Sequence, residues 1–182
     1  AVYLKHLELL REGLAAPDRD PNALLAAVRR DFEKIEKTHE KRPLIGVVGE
    51  IFVRSNKFSN EDSIRKIEKL GGEAWLAPID EWFFYTNAMA IRRALKKGHY
   101  KSWLKLKLKD RVQHKITHEM EGVFEGLLKT IHDPDTYAVM QNAEPYIHDS
   151  LEGEAILSIG KSVDMIRRGC VGIVNLMPFG CM

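Results

Sequence analysis

The run Leu44-Ile45-Gly46-Val47-Val48-Gly49 does most to limit what this chain can fold into. A continuous apolar stretch of this kind is the mark of a strand covered on both faces, as in a parallel sheet with helices packed on it. Downstream, Ser59-Asn60-Glu61-Asp62 has Ser followed three residues later by Asp, the spacing of a capping box. Ile64, Ile67 and Leu70 then give the buried stripe of a helix that Gly71-Gly72 ends. Ala74-Trp75-Leu76-Ala77 is a second strand, stopped by Pro78. Strand, capped helix and strand within about 30 residues form a βαβ unit. Such a unit predicts parallel pairing and a right-handed crossover.

The flanking segments are helical. Leu4, Leu7, Leu10 and Leu14, then Leu24, Leu25, Val28, Phe32 and Ile35, keep helical spacing on either side of Pro17-Asp18-Arg19-Asp20-Pro21. Asp20 is the expected N-cap of the second helix and Pro21 its first residue. From Glu81 to about Thr130 the pattern is again helical, through Met89, Ile91 and Leu95 and then Val112, Ile116, Met120, Val123 and Leu127. Leu104-Lys105-Leu106-Lys107-Leu108-Lys109 alternates like a strand, but helical flanks and the lack of a turn signal predict helix. His132-Asp133-Pro134-Asp135 is a turn, a short helix precedes Pro145, and Ala155, Ile156, Ile159, Val163 and Ile166 define a helix ending at Gly169. Val171-Gly172-Ile173-Val174-Asn175-Leu176 is the third strand.

The expected fold is therefore α/β: a three-layer, Rossmann-like (flavodoxin-type) parallel sheet fragment. A helical hairpin over 1–41 precedes an α/β domain over 42–182, with a helical insertion over about 81–150. The absent initiator Met and an end just after a strand predict a piece of a longer protein, truncated at its C-terminus.

Composition narrows the function classes. A hydrophobic fraction of 45% and a charged fraction of 30% argue against disorder. A net charge of +2 provides no field for nucleic acid or an anionic membrane, and no apolar run nears the roughly 20 residues of a membrane span. Two cysteines cannot form a disulfide framework, so a cytoplasmic setting is expected.

Ligands of open α/β sheets bind beyond the carboxyl ends of the strands. That rule points to Gly49–Asn60, Pro78–Asn87 and Met177–Met182. In the first segment Glu50, Arg54, Asn56, Ser59 and Asn60 are candidates for a substrate or an anion, seated at the start of the following helix. Alternatively Ser59 and Asn60 only cap that helix while Glu50 and Arg54 face solvent. In the last segment Cys181 is a candidate thiolate ligand or nucleophile, or an inert loop cysteine, and Pro178 lies beside it. Cys170 precedes the same strand, about 20 Å away along it, so it cannot share a metal with Cys181 and reads as structural.

Other motifs are weaker. A dinucleotide glycine fingerprint is missing after the first strand, and Gly160-Lys161-Ser162 lies in a helix with Ala155 where a P-loop needs glycine. His114 and His118 share a helical face, but Lys115 stands where a zincin has Glu. Lys96, Lys97, Lys101, Lys105, Lys107, Lys109 and Arg111 could meet cofactor phosphates or an acidic partner, although acidic residues elsewhere balance them and a solvated helical surface is the simpler account.

Three stretches together resemble a known family. They are Ile45-Gly46-Val47-Val48-Gly49-Glu50-Ile51-Phe52-Val53-Arg54-Ser55-Asn56, then Leu70-Gly71-Gly72-Glu73-Ala74-Trp75-Leu76-Ala77-Pro78, and Gly153-Glu154-Ala155 through Gly160-Lys161 to Gly172-Ile173-Val174-Asn175-Leu176-Met177-Pro178-Phe179-Gly180-Cys181-Met182. From about Arg42 onward the chain resembles the C-terminal region of long acyl-CoA dehydratase activase-related proteins, also called CoA-substrate-specific enzyme activases. These are relatives of 2-hydroxyacyl-CoA dehydratase and benzoyl-CoA reductase subunits of anaerobic metabolism.

The resemblance implies an iron–sulfur (4Fe-4S) cluster beside a CoA-ester pocket, held by cysteines at strand ends, with Cys181 as one ligand. It also implies ATP-driven electron transfer from an activator and dehydration through a ketyl radical. One well-placed cysteine cannot hold such a cluster. The other ligands are expected from the missing remainder of the parent chain or a partner subunit. The fragment alone is expected to be inactive and without cofactor. The alternative is a non-catalytic α/β scaffold binding a small anion or a protein partner.

Overall fold

The computed structural model describes residues 2–15, 20–36, 40–128 and 133–181. Pro17, Asp18 and Arg19 of the expected break, His132 of the expected turn and Met182 lie outside the described residues. Three strands, β1 (Leu44–Gly49), β2 (Glu73–Leu76) and β3 (Gly172–Leu176), form a parallel sheet in the order β2-β1-β3. The register pairs Leu44 with Glu73 on one side of β1 and Ile45 with Gly172 on the other. The chain is thus α/β with its most apolar strand in the middle. Val47 and Val48 are fully buried there, as the unbroken apolar run predicts.

Eight helices complete the described residues: α1 (Val2–Ala15), α2 (Pro21–Glu33), α3 (Ile51–Ser55), α4 (Ser63–Lys69), α5 (Asp80–Lys96), α6 (Tyr100–Gly122), α7 (Thr136–Ala143) and α8 (Glu154–Arg167). Asp20 caps α2 as expected, accepting from the Asn22 amide at 2.9 Å with Pro21 next in line. The Leu-Lys alternation at 104–109 is helix, inside α6. No helix among the described residues is long and apolar enough to cross a membrane.

Two local features depart from the expectation. The short helix α3 follows β1 directly, too brief to show periodicity in the sequence. Helix α4 begins at Ser63, and Asp62, in a left-handed conformation (φ 54°), holds the cap position in place of Ser59. Asn60 supplies the side-chain cap, its Oδ1 accepting from the Ser63 amide at 3.3 Å. The turn between Asn60 and α4 passes through Glu61 and Asp62, both at positive φ.

Contacts divide the chain into two units. One joins Ala1–His39 with Leu108–Asp133; the other joins Glu40–Lys107 with Pro134–Met182. Leu108–Asp133, read from the sequence as part of the insertion, therefore groups with the hairpin. In the first unit α1 and α2 approach closely at Gly13, where a Cβ would lie 2.3 Å from Leu24 Cδ1. Asp31 holds the pair at the surface, accepting from Lys5 Nζ at 2.8 Å, beside the buried His6 ring at 2.9 Å. Arg29 of α2 donates to the Val123 carbonyl at 2.6 Å.

The second unit has two apolar clusters. Tyr85, Ala88 and Met89 of α5 meet Val139, Met140 and Ala143 of α7 and Ile156 and Leu157 of α8. Gly160 lets α7 and α8 touch, since a Cβ there would sit 2.0 Å from the Val139 carbonyl oxygen. On the sheet, Met165 of α8 and Cys170 pack with Val48 and Ala77. Gly46 opens β1 to that helix, because a Cβ would meet Met165 Sδ at 2.7 Å.

Candidate functional site

Parallel pairing brings the carboxyl ends of all three strands to one edge. Gly49 pairs with Leu176, the Glu50 amide donates to the Leu176 carbonyl at 2.9 Å, and the Ala77 amide donates to Val47 at 2.9 Å. Gly49 adopts φ 120°, and a Cβ would lie 2.1 Å from Leu176 O, so glycine is required where β1 leaves the sheet.

The loop after β1 is braced by its own side chains. Glu50 caps α3 by accepting from the Val53 amide at 2.7 Å. Glu154, at the start of α8, accepts from the Ile51 amide at 3.1 Å. Asn56 Oδ1 accepts from the Phe58 and Ser59 amides, both at 3.0 Å, an Asx turn that shapes the exit from α3. Buried Asn60 donates from Nδ2 to the Val53 and Arg54 carbonyls at 3.0 and 2.9 Å, satisfying acceptors that the end of α3 leaves open.

Arg54 is the unexpected member. Its side chain is 1% exposed, and it reaches Glu81 Oε1 at 2.6 Å and the Pro78 carbonyl at 3.1 Å. The guanidinium thus ties the loop after β1 to the one after β2, and Glu81 neutralises its charge. Arg54 Nε is buried and has no acceptor among the described residues. A charged residue in a loop reads as solvated from sequence. The signal that could have found this pair is Glu81, lying within the segment beyond β2 that the strand-end rule marks.

Beyond β3 the chain turns at Pro178-Phe179-Gly180-Cys181. The Cys181 amide donates to the Pro178 carbonyl at 3.2 Å, and Gly180 takes φ 76° at the third position, which glycine alone tolerates readily. The turn leaves Pro178, Phe179 and Cys181 exposed. No hydrogen bond among the described residues joins it to the Glu50–Asn60 network. The structure therefore gathers Glu50, Arg54, Asn56 and Asn60 into one brace, while Ser59, Pro178 and Cys181 stay on the surface.

Cys170 is buried on the sheet, and burial pushes its thiol above the ordinary range. The acid-rich approach to α8 is paired to α5: Asp149 meets Arg92 at 2.5 Å, which holds its carboxyl below the usual range, and Glu152 meets Arg93. Burial raises the Tyr85 phenol, whose oxygen accepts from the Gly153 amide at 2.8 Å. Among the described residues no group of three or more His, Cys, Asp or Glu could hold a metal ion. The donor set at the sheet edge is one thiol, which fits a single ligand of a cluster and does not by itself fit a cluster.

Comparison with protein families, curated proteins and solved structures yields no match.

Proposed function

We propose that this chain is the α/β part of an iron–sulfur, CoA-ester-handling dehydratase or of its activase-related partner. It works in the cytoplasm and contributes Cys181 as one thiolate of a site completed by other polypeptide. The observation that supports this reading is the exposed Cys181 thiol on a glycine turn beyond β3, at the edge where open parallel sheets bind their ligands. In this reading the three strands belong to a larger three-layer, flavodoxin-type sheet. The Glu50–Asn60 loop, held by Arg54 and Glu81, forms a fixed wall beside the CoA ester.

With only two cysteines in the sequence, and Cys170 buried, the remaining ligands lie outside these 182 residues. The test is anaerobic purification of the protein with its accompanying subunits from its native host, followed by iron and acid-labile sulfide analysis. Iron and sulfide should be present, lost in Cys181→Ala and kept in Cys170→Ala. A preparation free of iron, or one in which Cys181→Ala keeps its iron, overturns the assignment.

One observation favours a second reading, a non-catalytic scaffold for a small anion or a protein partner. Glu50, Arg54, Asn56 and Asn60 each make internal hydrogen bonds with their side chains, as a structural loop would use them. An iron-free preparation in native assembly is the outcome that selects it.

A further inference from the structure

Helix α6 runs from Tyr100 to Gly122 without one buried residue. Helices in folded proteins draw most of their stability from an apolar face packed away from water, so a helix this long with none fully covered is poorly supported by its own chain. Trp103, Leu106, Asp110, Gln113, Thr117 and Met120 lie half-buried along one side. The other side carries Leu104, Leu108, Val112 and Ile116 at every fourth position, 63%, 64%, 49% and 50% exposed.

These four residues form one ridge about 18 Å long, advancing about 40° round the axis at each step. Exposed Lys101, Lys105 and Lys109 run parallel to it on one flank, and exposed Arg111 and Lys115 on the other. Glu119, within 3.7 Å of Lys115, is the acidic residue at the far end of that second flank.

We propose that this outward face of α6 docks an acidic amphipathic helix from another polypeptide. Ridges of residues four apart are the ones that interdigitate when two helices cross, and anchors at such spacing are how grooves and helices recognise each other. The basic flanks call for carboxylates on either side of the partner's apolar row. A second copy of α6 would instead set lysine rows against lysine rows. A bilayer needs a broad apolar face, whereas this ridge winds until Lys105 and Lys109 share its side of the helix.

The probe is a labelled synthetic helical peptide with Leu at every fourth position and Glu on both flanks, titrated into the 182-residue chain at about 0.15 M salt. Binding should weaken about tenfold or more in Leu104→Ser/Leu108→Ser and, independently, in Lys105→Glu/Lys109→Glu, with helix content unchanged by circular dichroism. The second pair leaves the ridge intact and keeps the test open if the first disturbs the fold. No binding, equal binding of a peptide with its Leu residues replaced by Ser, or indifference to both pairs overturns the proposal. So does ridge-dependent binding to phosphatidylserine vesicles without peptide binding, which assigns the face to a membrane. A dimer in solution that Leu104→Ser/Leu108→Ser converts to monomer assigns it to self-association.

Discussion

Arg54 and Glu81 meet at 2.6 Å with side chains 1% and 11% exposed, an ion pair that clamps the exits of two adjacent strands. Neither charge could be held so deep alone, since removing an ion from water costs several kcal/mol that only a close, well-bonded partner offsets. The pair therefore fixes the shape of the sheet edge and withholds the guanidinium from any anion arriving there.

Breaking the clamp from one side should be severe. Arg54→Ala leaves the Glu81 carboxylate buried without its guanidinium, and urea denaturation should register a loss of about 3–5 kcal/mol. The double variant Arg54→Met/Glu81→Leu should recover most of it, because an apolar pair of similar volume carries no desolvation cost. A double variant as unstable as Arg54→Ala would argue against this account.

Gly49→Ala tests the exit of β1. The φ of 120° alone costs an alanine about 1–3 kcal/mol, and the clash with the Leu176 carbonyl adds to that by pushing β3 from its register. Gly71→Ala is the control: Gly71 also has positive φ, at 90°, but its Cβ would meet nothing within 4 Å. Equal losses from the two would mean that strain, and not the close approach of β3, is what Gly49 relieves.

These two sites mark how far the sequence could be read. The run at Leu44–Gly49 declares a strand because a strand covered on both faces needs every position apolar, whereas Gly172–Leu176 carries exposed Asn175 and is less fully covered. Asp20-Pro21 declares a helix start because both residues act locally. Arg54 could not be read this way: its burial depends on Glu81, which belongs to another element, and nothing near Arg54 in sequence encodes it. Of the two caps expected for the next helix, Asn60 takes the role and Ser59 does not, because α4 starts only at Ser63. At the candidate site, Cys170, read as structural, is buried, while the sequence left the surroundings of Cys181 open.

Acid should loosen the α1–α2 hairpin through Asp31. Hydrogen bonds, from Lys5 first and then from Lys34 and His6, hold its carboxyl far below the usual range. A lowered folded-state value means full stabilisation above the unfolded value near 4, lost as the pH falls through the folded one. The stability difference between wild type and Asp31→Asn, followed by thermal unfolding, should be steady above about pH 5 and shrink below about pH 4. A difference that grows on acidification would refute the assignment. Raised salt should diminish it at every pH, because the lysines are largely exposed.

The two thiols should separate cleanly in reactivity. With the protein folded at mildly alkaline pH, iodoacetamide should modify exposed Cys181 and spare Cys170, whose burial both blocks access and disfavours the thiolate. Mass spectrometry of the intact chain should find one adduct before denaturation and two after it. Labelling of both at similar rates in the folded state would show that the sheet opens around Cys170.

The order β2-β1-β3 also sets a timetable for folding. β1 can find Glu73–Leu76 almost at once, but its other neighbour, Gly172–Leu176, is made only after the whole helical stretch between them. Closing so long a span loses chain entropy before any pairing is gained, which makes the docking of the last strand the slow search. Until it arrives, Val47 and Val48 lie along an unpaired edge, the kind of surface on which nascent chains stick to one another. The strand that holds the finished sheet together is thus the one most at risk during synthesis.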